Sequence, residues 1–289
     1  MANSMQLYLL RYGEIGTKSP TVRSNFVSIL VQNIERMFLN QQREIFIEKR
    51  GFGRIFGYTK QEDSGIFSRI FGLVSYSPVE EISSDLDEIK RRSKSFAEGK
   101  QGSFAVRARR TGDQDYSSMD VEEAVGAVIL DENPDLVVDL DDPDNTLYIE
   151  VRNNKAYLFT KKYEGPGGLP LSSQGKAAAF VEEREDFLAT WLMMKRGVRC
   201  YVYYTEENEW IDRLKGWDPN LKSLKINERN HLFDDKLTEE IDAVVLGETM
   251  EDITETKTDK LIFRPLIGFS KSMIEDKIER IKVLENSKN

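Results

Sequence analysis

The sequence contains one cysteine, Cys200, and one histidine, His231, in 289 residues. An intramolecular disulfide is impossible, and so is a zinc site built on Cys and His. A relay passing sulfur between two cysteines of one chain is impossible as well. Ser-His-Asp or Cys-His catalysis would need His231. That residue lies in the polar stretch INERNHLFDD with nothing of a triad around it, and it reads as a surface or helix-start histidine. No apolar run reaches about 18 residues, so no transmembrane helix is expected. The N-terminus lacks a basic flank, an apolar core and a cleavage site, which predicts a cytoplasmic protein. There is no internal repeat and no low-complexity segment.

What is present describes a soluble globular chain, 39% hydrophobic and 31% charged, long enough for two or three domains. The net charge of −9 argues against nucleic acid, but it is unevenly spread. Residues 1–76 carry +4, residues 77–165 carry −8 and residues 166–289 carry −5. A basic N-terminal segment on an acidic chain is more informative than the total.

Periodicity predicts a strand over 5–13, a helix opened by Ser19-Pro20, strands over 43–49 and 53–59, a short helix over 64–72 and a strand over 73–79. That β-α-β-β-α-β order is the ferredoxin-like arrangement. A second block predicts helix 83–98, strand 103–110, helix 117–134 capped by Ser117 or Ser118, and strands 136–140, 146–152 and 155–161. The stretch EGPGGLPLSSQG (164–175) reads as a domain linker or a loop with a shape of its own. Strands and helices then alternate to the C-terminus, implying a largely parallel sheet with helices on both faces.

The segment GKAAAFVEEREDFLATWLMMKRG (175–197) reads as buried strand, tight turn and helix. In a nucleotide-binding α/β protein such a turn is rich in Gly, Ser or Thr, so that phosphate reaches backbone N–H groups at the helix start. Here the turn is Glu182, Glu183, Arg184, Glu185 and Asp186. Its carboxylates obstruct and repel phosphate while suiting the positive end of the helix dipole.

Several motifs stand in order: RYGEIGTKS (11–19), VRARRTGDQDYSSMDVEEAVGAVI (106–129), YEGPGGLPLSSQGK (163–176), WLMMKRG (191–197), VVLGET (244–249) and FRPLIGFSK (263–271). In this the chain resembles the tRNA 4-thiouridine synthetase family, ThiI, essentially end to end. The resemblance implies an α+β N-terminal half, a ferredoxin-like domain (1–76) plus a THUMP RNA-binding domain (77–165). A Rossmann-like α/β, mostly parallel-sheet domain of the PP-loop type (166–289) would follow. It further implies ATP-dependent adenylation of a tRNA uridine, then sulfur delivery from an enzyme persulfide.

Set against that pattern, the positions of the phosphate loop and its surroundings are Ala179, Phe180, Glu182, Glu183 and Gly247. The paired loop glycines of the family stand as Glu182 and Glu183 here. Gly247-Glu248 keeps the family's GE, but the glutamine near the adenine site is missing from TMEDITETKTDK. No cysteine lies between Gly216 and Asp242, where the family's reactive cysteine falls. Cys200, in a predicted buried strand, reads as a small core hydrophobe. The expectation is a degenerate nucleotide domain with no catalytic residue, no cofactor and no metal.

The RNA-binding candidates are Arg11, Lys18, Arg23, Arg50, Arg54, Arg107, Arg109, Arg110, Lys161 and Lys162. Strand alternation puts Arg107 and Arg109 on one face, and arginine suits phosphate through its planar fork. The expected partner is tRNA, gripped at its acceptor end through backbone and shape, with a partner modification enzyme and homodimer formation as further expectations and no membrane. The alternative is an active tRNA-modifying enzyme whose missing chemistry comes from a partner chain.

Overall fold

The computed structural model describes residues 5–48, 53–233, 241, 243–255 and 258–287, with the side chains at 230 and 233 left aside. The chain forms two compact units. One comprises residues 1–5, 10–76 and 163–289; the other comprises residues 6–9 and 77–162.

β1 (Gln6–Tyr12), β2 (Phe46–Glu48), β3 (Ile55–Thr59) and β4 (Leu73–Pro78) form a sheet in the order β4-β1-β3-β2, the ferredoxin-like order. Helix α1 (Pro20–Asn40) starts at Pro20, whose fixed φ suits the first helical position. Phe26, Leu30, Ile34, Met37 and Phe38 recur at helical spacing and are buried. The predicted helix over 64–72 is a 3-10 turn spanning Gln61–Arg69.

The stretch after residue 162 is no open linker. Tyr163–Glu164 form β10, which pairs antiparallel with β4 as a fifth strand. Gly167 N donates to Leu73 O at 2.7 Å, and Leu169 N to Lys195 O at 2.9 Å. The glycines and prolines therefore shape a strap bonded along its length.

That strap leads into a five-stranded parallel sheet, ordered β13-β12-β11-β14-β15. Its strands are β11 (Lys176–Phe180), β12 (Arg199–Tyr204), β13 (Lys222–Lys225), β14 (Ala243–Val245) and β15 (Leu261–Phe263). Helices α4 (Arg184–Lys195), α5 (Glu209–Lys215) and α6 (Lys271–Glu285) pack against it. The small side chains of Ala177 and Ala179, with Val245, admit Phe187, Trp191 and Ile274 to one continuous core.

The ferredoxin-like and α/β bodies are joined by an aromatic knot. Phe71 stacks on Trp217 at 5.1 Å, and Trp191 meets Trp217 edge-on at 5.3 Å. Each such pair contributes about 0.5–1.5 kcal/mol beyond the area it buries. Around the knot, Asn33 donates to Leu171 O at 3.0 Å and Trp217 Nε1 to Glu285 at 3.0 Å. Arg196 pairs with Glu14 at 2.8 Å.

The second unit contains β5 (Glu80–Ser83), β6 (Ser103–Thr111), β7 (Val137–Val138), β8 (Asn145–Arg152) and β9 (Lys155–Phe159), in the order β5-β9-β8-β6-β7. Helices α2 (Leu86–Ser93) and α3 (Ser118–Glu132) cover one face through Ile89, Val121, Val125 and Ile129. The predicted helix over 83–98 is shorter. Its first residue, Ser83, ends the strand over 80–83 that pairs with β9, and a 3-10 turn over Lys94–Ala97 follows α2. Helix α3 opens with a reciprocal cap: Ser117 Oγ accepts from Asp120 N, and the Asp120 carboxylate accepts from Ser117 N at 2.7 Å. No described helix is long and apolar enough to cross a membrane.

Candidate functional site

The C-terminal ends of parallel strands are where open α/β sheets place their ligands. There the first unit has a cleft of about 630 Å³ between the β11–α4 turn and the segment after β14. Phe180, Glu182, Glu183 and Gly247 line it, whereas Ala179 is fully buried in β11 and does not. Seven acidic residues line the cleft, Glu182, Glu183, Glu185, Asp186, Glu248, Glu251 and Asp252, against two cations, Arg229 and Lys271.

Two backbone donors of the turn are already bonded within the chain. Asp186 Oδ2 accepts from Glu182 N and Glu183 N, both at 3.2 Å. Burial pushes the Asp186 carboxyl up, opposed by those two N–H groups and by the Arg229 charge. Glu182 turns away to bind the loop after β12. Its Oε1 accepts from Thr205 N, from Thr205 Oγ1 at 2.6 Å and from Glu206 N at 3.3 Å. Gly247 packs directly on the helix start. A Cβ there would lie 2.6 Å from Asp186 N and 2.7 Å from Glu185 C, so only glycine fits.

The cations of this region are committed as well. Glu248, 4% exposed, pairs with Arg264 at 2.7 Å and Arg229 at 3.2 Å, and accepts from Thr254 Oγ1 at 2.5 Å. Burial raises its carboxyl, but the Thr254 hydroxyl and the Arg264 guanidinium outweigh burial and hold it below the usual range. Lys271 faces Glu251 at 3.5 Å, and Arg184 is shared by Glu185 and Glu275. A polyphosphate brought here would meet an excess of carboxylates over cations. At about 4 Å each repels a unit charge by about 4 kcal/mol at an effective dielectric near 20.

Cys200 lies on β12, 2% exposed, within the same core as Trp191 and Met194. Burial, aided by the Asp218 charge, pushes its thiol up to about 12. Among the described residues no group of three or more His, Cys, Asp or Glu side chains could hold a metal ion.

The basic candidates are distributed over both units. In the second, Phe104 and Val106 point to the core under α2 and α3, so Arg107 and Arg109 share the opposite sheet face. Arg107 Nη2 donates to Leu140 O, which spends part of its fork on the chain. Arg109 is exposed and forms no ion pair among the described residues. Arg110 turns to Gly112 O at 2.7 Å and Gln114 O at 3.2 Å. Lys161 and Lys162 follow β9, exposed and outside any ion pair among the described residues.

In the first unit, Lys18 is exposed just before α1, Arg23 donates to Gly16 O at 3.4 Å, and Arg11 lies on β1. Arg54 Nη1 donates to Gly53 O at 2.6 Å. Arg50 lies outside the described residues. Sequence reasoning missed Arg229 and Arg264. Neither stands near Glu248 in the chain, so no local pattern flags them.

Comparison with known proteins agrees with this architecture. Residues 7–77 match the ThiI ferredoxin-like domain and residues 83–161 the THUMP domain. A probable tRNA sulfurtransferase of Saccharolobus islandicus is 30% identical over 327 aligned residues, covering 95% of this chain and 86% of that protein. One from Methanosarcina mazei is 34% identical over 215 residues, covering 71% of this chain and 53% of the relative. The chain thus spans about half the length of several curated relatives it matches. Among solved structures, PH1313 of Pyrococcus horikoshii is similar with a TM-score of 0.80 at 28% identity, covering 96% of this chain and all of that one. A 4-thiouridine synthetase–RNA complex with bound ATP shares the fold, with a TM-score of 0.73 at 23% identity over 97% of this chain and 86% of that one.

Proposed function

The chain belongs to the ThiI family of tRNA sulfurtransferases, and from that premise we propose that it is a tRNA-binding protein of tRNA modification whose α/β body no longer takes ATP. One observation carries the second half of this reading: the Asp186 carboxylate occupies the loop N–H groups of Glu182 and Glu183. The site supplies its own anion. Adenylation and sulfur delivery would need a nucleotide phosphate at that loop and a sulfur-carrying thiol, and Cys200 is buried and protonated.

The first half rests on the THUMP and ferredoxin-like matches together with Arg109, Lys18, Lys161 and Lys162, cations outside ion pairs among the described residues of an acidic chain. Structured RNA is gripped largely through its backbone, and cations of this kind serve that purpose. The ferredoxin-like domain, the THUMP domain and the α/β body then divide at residues 76 and 165, with tRNA held at its acceptor end by the first two. Bound tRNA is presented to a separate modification enzyme, and the protein acts in the cytoplasm.

Two measurements test the reading. In a mobility shift, tRNA is expected to bind with an affinity that falls steeply with salt, because each neutralised phosphate releases counterions. Absent or salt-insensitive binding rejects an RNA role. In a pyrophosphate-exchange assay with ATP, Mg²⁺ and tRNA, no exchange is expected. Exchange above background shows that the α/β body still adenylates and rejects the closed-site half.

A further inference from the structure

The cationic sheet face of the second unit does not account for that unit's charge. Residues 77–165 carry −8. The surplus gathers in one segment, because residues 131–144 contain seven acidic residues and neither lysine nor arginine. The unit therefore has a second surface, opposite in sign to the first.

That segment is also the open edge of the sheet. Strand β7 has β6 on one side and no strand on the other among the described residues. Val137 N donates to Gly102 O at 3.2 Å and Asp139 N to Phe104 O at 3.0 Å. Successive strand residues direct their backbone groups to alternate sides, so Val138 turns its N–H and C=O to the open side. The side chains around it are aliphatic and lie in water: Val137 is 64% exposed, Val138 48% and Leu140 58%. An apolar edge with unspent backbone groups is a template for another strand.

We propose that this edge docks a protein partner through an extended segment of alternating basic and aliphatic residues, which adds to β7 as a further strand. Charge selects that occupant. Asp135, Asp141 and Asp142 are exposed and outside ion pairs among the described residues. They repel nucleic acid and anionic membrane surfaces. They also repel a second copy: antiparallel pairing about Val138 would set Asp135 against Asp141, and like charges directly opposite are destabilising. A basic strand meets these acids with its charges and covers Val137, Val138 and Leu140 with its aliphatic side chains.

The edge is well placed for the proposed presentation of tRNA. Arg107 Nη2 donates to Leu140 O, which ties the β7 segment to the sheet face that carries Arg109. A modification enzyme docked on β7 lies beside the RNA held by that face. Naming the partner as that enzyme rests on the proposed function; the open edge and its charge do not.

Fluorescence anisotropy on the full chain, without tRNA, tests the edge with three labelled short peptides that alternate lysine with valine, glutamate with valine, and lysine with serine. The lysine–valine peptide is expected to bind saturably and the glutamate–valine peptide not at all. The lysine–serine peptide should bind about tenfold more weakly than the first, because it leaves the aliphatic edge uncovered. Val138→Pro removes an N–H that serves no bond inside the sheet, and it should weaken the lysine–valine peptide about tenfold. The triple variant Asp135→Asn, Asp141→Asn, Asp142→Asn should weaken it as much and flatten its salt dependence. Thermal melting confirms that both variants fold, and neither should lose tRNA affinity. The proposal falls if the lysine–valine peptide does not bind saturably, if the lysine–serine peptide binds as tightly, or if both variants bind like the parent. If tRNA binds while the lysine–valine peptide does not, only this docking edge is rejected. If the peptide binds with both variants impaired while tRNA does not bind, the RNA role is rejected and the edge stands.

Discussion

The cleft of the α/β body and the outer sheet face of the THUMP unit are both densely charged, and they treat charge in opposite ways. In the cleft, the key groups have partners within the chain. Glu248 is held by two arginines and a threonine, Asp186 by two backbone N–H groups, Glu182 by Thr205. On the THUMP unit, Arg109, Lys161 and Lys162 stand exposed without ion pairs among the described residues. A region that satisfies its own charges has no electrostatic work left for a ligand. A region that leaves cations in water can exchange that hydration for phosphate. The contrast separates a charged site kept for stability from one available for binding.

The comparison is broken first at Glu248, where the largest effect is expected. Replacing its carboxylate in Glu248→Gln leaves Arg264 and Arg229 without their anion. Breaking a buried pair from one side costs about 3 kcal/mol. Chemical denaturation should show that loss near neutral pH with tRNA affinity unchanged. The folded carboxyl is held below its ordinary range, so its contribution is present above the unfolded value and vanishes as pH falls through the folded one. The gap between parent and variant should therefore close in acid. A gap that persists there, or a variant as stable as the parent, means the cleft does not stabilise the fold in this way.

On the THUMP side the expected effect is on binding. The triple variant Arg109→Ala, Lys161→Ala, Lys162→Ala should melt like the parent and bind tRNA about thirtyfold more weakly. Its salt slope should fall by about three, roughly one for each phosphate no longer neutralised. An unchanged slope would show that these cations do not touch phosphate, and the contrast between the regions would lose its meaning.

The sequence made both regions legible to different depths. Strand alternation at 103–110 put Arg107 and Arg109 together, because a two-residue period is a local property. The acids at 182–186 were visible as a turn unfit for phosphate, since glycine's absence is local too. What they bond to was not visible. Thr205 reaches Glu182 from the next loop, and Arg264 reaches Glu248 across 16 residues. Such pairs follow from the parallel sheet gathering its strand ends, not from any pattern along the chain. The strap at 163–175 was open for the same reason. Its glycines announced irregular backbone, while β10 exists only because β4 offers an edge to pair with. Strand β5 was missed because residues 80–83 have little apolar alternation and are held by β9.

The smallest expected effect bears on whether the α/β body still carries sulfur. A persulfide-carrying thiol must reach solvent and ionise near neutral pH. Cys200 does neither: Thr190 O and Val198 O lie 4.0 Å from its Sγ, and its thiol is pushed up to about 12. At neutral pH a disulfide reagent such as Ellman's should leave the native protein unlabelled and react with one thiol after denaturation. A second consequence follows from the same raised value. In the unfolded chain the thiol ionises near its ordinary 9.0, while the folded thiol stays protonated. Stability is therefore unaffected by this group below that pH and falls above it, by about 1.4 kcal/mol per pH unit until the folded thiol also ionises. Cys200→Ala removes that component, so its stability should decline less steeply than the parent's between neutral and alkaline pH while tRNA binding stays the same. Rapid labelling of native protein at neutral pH would place a reactive thiol in the α/β body and would reopen sulfur transfer by this chain.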